Sequence, residues 1–331
     1  MADVQVTVET GSRLHFGLLS FGNTEGRQYG GAGVIIDGEG VTLSVRAADR
    51  FEAVGPLSER VTEVVSHYAD KENLAQLPSC RMELVEAPRH HTGLGTGTQL
   101  SLAVAAGLDA FLEKSPRDIE NLVEVSGRGH RSAVGAYGFA YGGFIYEQGK
   151  LSGEKLSPLA AHVALPESWR FVLFCEAGHE GLSGEQEKAS FSQLPPVPAE
   201  VTARLRDEIE GQMLPAATAA DFTAFGESVY RYGCTAGECY LAEQGGIYAS
   251  QHAEQLVDAI RSFSIGGIPQ VSGIGQSSWG PTIFALTPSE QVAQELCDHI
   301  AAQQLSGGWT SKIVAVRNVG AGVQTKSTSH V

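Results

Sequence analysis

Residues 90–100, HHTGLGTGTQL, alternate three glycines with Leu94 and Thr96, and an apolar run follows without a break. A loop of this composition that opens straight into a helix suits an anion. The free N–H groups of the helix start near Thr98 point outward, and the helix dipole favours negative charge there. Gly93, Gly95 and Gly97 let the backbone approach a ligand closely, while Thr96 and Thr98 add hydroxyls. The same residues also fit a tight strand-to-helix turn with no ligand. Two specific readings fail. A Walker A loop needs Lys and then Ser or Thr after its last glycine, whereas Gly97 is followed by Thr98 and Gln99. A dinucleotide fingerprint needs a strand ending in an acidic residue about twenty positions on, where this sequence continues as helix.

Basic groups are few, 23 Lys and Arg in all, so their grouping matters. Arg13 and His15 lie two apart after a strand, on one side of the chain if the strand continues. Arg128, His130 and Arg131 crowd GRGHRS, where glycines flank the arginines in place of helical surface. Arginine suits a planar, bidentate grip on carboxylate or phosphate. The alternative is a solvated charge pair for the arginines and a structural role for each histidine. GIGQSSWGPT sets Gln276, Ser277, Ser278 and Trp279 on one turn. Trp279 suits stacking on an aromatic ligand, or a core position beside a loop.

The chain of 331 residues has room for one large domain or two ordinary ones. A hydrophobic content of 42% against 18% charged residues predicts a globular chain. A formal net charge of −15 argues against nucleic acid, which needs a basic face, but allows a small anion in a locally positive pocket. The five cysteines are scattered without a CxxC pair, which predicts reduced thiols. The N-terminal residues show no basic-then-apolar signal pattern and no apolar run reaches a membrane span, so a cytoplasmic protein with no membrane partner is expected.

The elements that must carry these residues follow from periodicity. DVQVTVET, GVTLSVRAA and RMELVEA alternate as half-buried strands. The glycine-rich GRQYGGAGVIID between the first two is expected to wrap near the site. SERVTEVVSHYADKE is helical, and Leu100, Val104, Leu108 and Leu112 continue one helical face after the glycine loop. In SPRDIENLVEVSGR, Ser115 is the candidate N-cap with Pro116 at the first helical position. AYGGFIYEQG and RFVLFCEA are strands, and the polar connection GLSGEQEKASFSQLPPVPAE follows. Helices are expected at about 199–213, 217–231 and 249–262. TIFALTP and SKIVAVRNV are strands around a helix capped by Ser289. The pattern is α+β. The expected division is 1–160, 161–320 and a loose tail at 321–331.

The order of strand, P-x-x-x-T-G-L-G-T-G-T headed by Pro88, and helix resembles the phosphate loop of the GHMP kinase superfamily. SRLHFGLL, HHTGLGTGTQL, GRGHRSAVGAYGFAYGGFI, SGEQE, QGGIY and GIGQSSWGPT, in that order, resemble one of its families, the beta-ribofuranosylaminobenzene 5′-phosphate synthases. Thr96 stands where that resemblance leads one to expect serine. The resemblance implies an N-terminal domain like ribosomal protein S5 domain 2 and a ferredoxin-like C-terminal domain. It also implies a ribosyltransferase of tetrahydromethanopterin biosynthesis. Such an enzyme would join 5-phosphoribosyl 1-pyrophosphate to 4-aminobenzoate or 4-hydroxybenzoate, with loss of pyrophosphate and CO2. The alternative within the fold is an ATP-dependent small-molecule kinase, and a third reading is a non-catalytic binding protein.

On that resemblance, Arg13, His15, Arg128, His130, Arg131, Gln276 and Ser277 are the candidate catalytic residues. Ser12, His91, Thr92, Gly93, Leu94, Gly95, Thr96, Gly97, Thr98, Gln99, Ser278 and Trp279 would hold phosphate or substrate. Magnesium would bridge the pyrophosphate, with Thr98, Glu185 and Glu187 as candidate contacts. A homodimer is expected.

Overall fold

The computed structural model describes residues 3–23, 25–88, 92–178, 191 and 193–328. The N-terminal half carries β1 (Asp3–Glu9), β2 (Ser12–Ser20), β3 (Tyr29–Ile36), β4 (Thr42–Ala47), β5 (Glu52–Val54) and β6 (Cys80–Glu86). Its helices are α1 (Ser58–Lys71), α2 (Thr96–Phe111), α3 (Ile119–Val125) and α4 (Val134–Tyr141), followed by β7 (Phe144–Glu147) and β8 (Leu159–Val163). The remainder holds β9 (Arg170–Cys175), α5 (Ala199–Glu208), a π-helical turn at Ile209–Met213, α6 (Leu214–Ala219), α7 (Phe222–Glu238), α8 (Leu241–Gln244) and α9 (Gln251–Ser262). It ends with a small hairpin of β10 (Ser264–Ile265) and β11 (Ile268–Pro269), then β12 (Ser272–Gln276), β13 (Ile283–Thr287), α10 (Glu290–Ala302), β14 (Thr310–Ala315) and β15 (Gly322–Thr328).

Besides the β10–β11 hairpin, the described residues form three sheets, ordered β15-β1-β4-β6-β5, β2-β3-β7-β8 and β12-β13-β9-β14. In the first, Val6, Val8, Leu43 and Val45 pack against the buried faces of α1 and α2. In the third, alternation along β9 sends Phe171 and Leu173 to a core shared with β2, β3 and α7. Val172 and Phe174 turn the other way, toward α9 and α10. The N-terminal strands and the C-terminal sheet thus share one core, and the seam between them carries the ends of β2 and β12.

Several expectations change. The tail is not loose: 322–328 form β15 and pair antiparallel with β1 from Asp3↔Thr328 to Glu9↔Gly322. The division at 160 cuts β8, which pairs with β7, so the first unit runs on through Val163. GRQYGGAGVIID contains β3, which pairs closely with β2. Asp118, not Ser115, caps α3 by accepting from the Asn121 N–H. Ser289 does cap α10, accepting from the Val292 N–H at 3.3 Å. All five cysteines carry free thiols. Among the described residues no helix is long and apolar enough to cross a membrane.

Candidate active site

Gly95 ends the glycine loop in the left-handed region, φ 73°, and α2 starts at Thr96. That conformation costs a side-chain-bearing residue free energy, which explains glycine there. The Thr98 and Gln99 N–H groups bond back to the Gly95 carbonyl, and the foremost amides of α2 face outward with the positive end of the helix dipole. Two arginines reach this point. A Cβ placed on Gly95 would lie 3.3 Å from Arg13 Nε, and one on Gly97 would lie 2.6 Å from an Arg128 guanidinium nitrogen. Arg13 also holds the loop directly, through its N–H to the Leu94 carbonyl and its Nη1 to the Gly93 carbonyl at 3.3 Å. A helix start flanked by two guanidinium groups suits an anion.

The GIGQSSWGPT turn closes against the same loop. The Ser277 hydroxyl donates to the Gly93 carbonyl at 2.9 Å and accepts from the His15 N–H at 3.1 Å. The Ser278 N–H donates to the His15 carbonyl. Gly93, at φ 77°, has the Ser277 carbonyl so near that a Cβ would come within 2.4 Å of it. Gln276 turns away, accepting from the Ala249 N–H and donating to the Ser278 carbonyl.

His15 was expected beside Arg13 facing the ligand. It does lie near Arg13, but the side chain is buried at 2% exposure, just before a bulge between His15 and Gly17. Its Nδ1 accepts from the Gly17 N–H at 3.3 Å, so the neutral ring carries its proton on Nε2, 2.9 Å from Ser132 Oγ. Burial, with the nearby Arg13 charge, holds its pKa well below the usual imidazole value. Beside Ser132 stands Glu147, a carboxylate with no exposure. Glu147 accepts from the Ala133 N–H (3.0 Å), the Gly149 N–H (2.8 Å) and the Ser157 hydroxyl. Burial pushes its pKa up and these donors pull it back. The bonds His15–Ser132 and Ala133–Glu147 thus tie β2 to β7 through the start of α4. Ser132 lies inside GRGHRS, so motif context could have flagged it; Glu147 gave no signal, as an acidic residue in an ordinary strand.

The other predicted residues scatter. Ser12 is buried and donates to the Glu39 carbonyl, away from the loop. Leu94 is core. Gln99 donates to the Gly135 carbonyl at 2.9 Å and packs with Thr98 against α4. His130 is exposed, its pKa lowered by partial burial and by the charges of Lys150 and Arg128. Arg131 sits 5.3 Å from the centre of the Phe191 ring. Trp279 is 8% exposed and packs with Phe21, Phe191 and Tyr240. Thr92 borders the described loop, whereas His91, Glu185 and Glu187 lie outside the described residues. Among the described residues no group of three or more His, Cys, Asp or Glu side chains could hold a metal.

The architecture is that of the GHMP kinases. The chain superposes on mevalonate diphosphate decarboxylase from Staphylococcus aureus with a TM-score of 0.68 at 12% identity, over 97% of this chain and 98% of that one. Homoserine kinase from Cytophaga hutchinsonii gives 0.64 at 14% identity, over 97% of both chains. In sequence, the chain is 28% identical over 307 residues to the beta-ribofuranosylphenol 5′-phosphate synthase of Methanothermobacter thermautotrophicus, covering 86% of this chain and 89% of that protein. The protein of the same name from Archaeoglobus fulgidus is 28% identical over 315 residues, 89% of this chain and 92% of its own. No family model matches. The resemblance drawn from the motifs is borne out in both fold and relatives.

Proposed function

We propose that this chain is a ribosyltransferase that condenses 5-phosphoribosyl 1-pyrophosphate with a para-substituted benzoate in tetrahydromethanopterin biosynthesis. The observation that carries the reading is the alignment with three curated relatives of one name across 86% to 89% of the chain. The relatives are named for a ribofuranosylphenol product, which favours 4-hydroxybenzoate over 4-aminobenzoate as the acceptor. A homodimer in the cytoplasm is part of the same proposal.

The pyrophosphate of the donor is assigned to the start of α2, between Arg13 and Arg128. As the bond from C1 of the ribose to the pyrophosphate oxygen breaks, negative charge grows on the leaving group. The amides and guanidinium groups already point there, which stabilises the transition state without reorganisation. The para substituent pushes electron density to the ring carbon bearing the carboxylate, and that carbon bonds to C1. The carboxyl carbon then leaves as CO2, and its bonding pair restores aromaticity. No ring proton has to be removed. His15, neutral and engaged at both nitrogens, enters as a positioning residue for β2 and the Ser277 turn.

Magnesium is proposed as a companion of the donor's pyrophosphate, whose oxygens suit a hard divalent cation. Stabilisation by ligand tests the donor assignment, since ligand that binds only the native state raises its stability by mass action. Phosphoribosyl pyrophosphate with magnesium is expected to raise the melting temperature more than ATP with magnesium at equal concentration. A larger shift with ATP favours the kinase.

A further inference from the structure

The ring of Phe191 is held by four other rings and a cation. Its centre lies 5.1 Å from Phe21, 5.5 Å from Trp279, 6.3 Å from Tyr29 and 6.5 Å from Tyr240. The Arg131 guanidinium carbon stands 5.3 Å from the same centre. The walls also brace one another, Trp279 against Tyr240 at 4.9 Å and Phe21 against Tyr240 at 5.4 Å. Phe21 and Trp279 are buried, at 1% and 8% exposure, while the ring they surround is partly exposed. Tyr29 and Tyr240 are partly exposed as well, so the cluster is closed by Phe21 and Trp279 and open to solvent on the side of the central ring, the form of a seat with an occupant.

The seat adjoins the anion site through two short connections. Trp279 follows Ser277 and Ser278, which bond Gly93 and His15. Arg131 precedes Ser132, which bonds His15. A ligand spanning the start of α2 and this cage would meet both motifs at once.

We propose that the cage is the ring seat of the aromatic acceptor, and that Phe191 stands in the place the acceptor's ring takes. The inference rests on the ribosyltransferase reading. A phenyl ring is the part that Phe191 and a benzoate share, and the cage fits that part. Charge is the part they do not share. Arg131 attracts the neutral Phe191 ring only through its quadrupole, whereas a benzoate brings a full negative charge. The exchange therefore favours the anion, and it favours an electron-rich ring over a poor one.

The test measures acceptor and donor KM separately, with calorimetric binding of 4-hydroxybenzoate beside them. Phe191→Ala removes the occupant, so acceptor KM and Kd are expected to fall about threefold to tenfold while kcat and donor KM hold, the scale of one aromatic contact. Trp279→Leu and Tyr240→Leu remove walls and are expected to raise acceptor KM about tenfold with donor KM unmoved. Trp279→Phe, milder for folding, gives a smaller rise in the same direction. Arg131→Leu is expected to erase the preference for 4-hydroxybenzoate over its neutral amide. If Phe191→Ala raises acceptor KM as the wall variants do, Phe191 is itself a wall and the inference falls. Acceptor KM unchanged in all four also overturns it, while product from the unaltered protein leaves the ribosyltransferase reading standing. If the unaltered protein makes no riboside, that reading fails, and calorimetry on Phe191→Ala with the benzoate still decides the cage.

Discussion

The Ser277 hydroxyl donates to the Gly93 carbonyl across 2.9 Å, and so fastens the turn after β12 to the glycine loop 184 residues earlier. Because it also accepts from the His15 N–H, one buried side chain sets the spacing of three segments at the site. Ser277→Ala strands the buried His15 N–H and leaves the partly exposed Gly93 carbonyl with Arg13 alone, at a cost of about 1–3 kcal/mol. The expected outcome is a lower melting temperature together with weaker donor binding. Calorimetry and a donor titration check both, and unchanged donor affinity in the destabilised variant would separate the turn from the site.

Gly97→Ala separates helix stability from anion binding. Gly97 lies in the first turn of α2 at an ordinary backbone conformation, so alanine there is expected to hold or raise stability by about 0.5–1 kcal/mol. Its Cβ, however, would fall 2.6 Å from the Arg128 guanidinium and push it aside. Donor affinity is expected to drop about tenfold, the loss of about 1.4 kcal/mol from a charge-assisted contact. A variant that is at least as stable but binds donor normally would remove Arg128 from the site.

The buried His15 predicts a pH dependence of stability. In the unfolded chain its imidazole takes up a proton as pH falls through about 6.5, the ordinary value, while the native ring, held well below that, stays neutral. The unfolded state then binds more protons, and stability is lost as pH drops, by at most about 1.4 kcal/mol per pH unit for one group. Melting temperature should decline from pH 7.5 to 5.5, and less steeply in His15→Gln. Parallel profiles for the two proteins would show that His15 protonates freely in the fold.

Far from the site, Arg117 closes a buried network. Its Nε lies 2.8 Å from Asp109 Oδ2, and Tyr68 donates to the other oxygen at 2.7 Å. Asp109 is 3% exposed, so Arg117→Ala strands a buried carboxylate at a cost of about 3–5 kcal/mol. Denaturant unfolding is the readout. Activity of the folded fraction should persist, because the network packs α1 against α2 on the side away from Gly95.

The glycine loop was legible because its signal is local. Gly95 must take a left-handed backbone and α2 must follow, and both are written in adjacent residues. The caps show where local signals mislead. Ser115 and Asp118 both suit an N-cap, and the chain turns into helix only at the second. β15 was hidden for another reason. GVQTKST has no apolar face of its own, and its place comes from backbone hydrogen bonds to β1, more than 300 residues away in sequence. Trp279 was recognised as an aromatic near the site, yet its partners Phe21 and Phe191 come from segments without motif character. Glu147 is a single acid in a strand, and only the fold brings three donors to it.

The central claim is that a ring carbon displaces pyrophosphate and loses its carboxyl group. 4-Hydroxybenzoate labelled at the carboxyl carbon, incubated with phosphoribosyl pyrophosphate and magnesium, tests it directly. The account predicts labelled CO2 and pyrophosphate released one for one, with an unlabelled C-riboside 5′-phosphate as product and no reaction for benzoate that lacks the para group. A phosphorylated benzoate, or an ester-linked riboside that keeps the label, would contradict it.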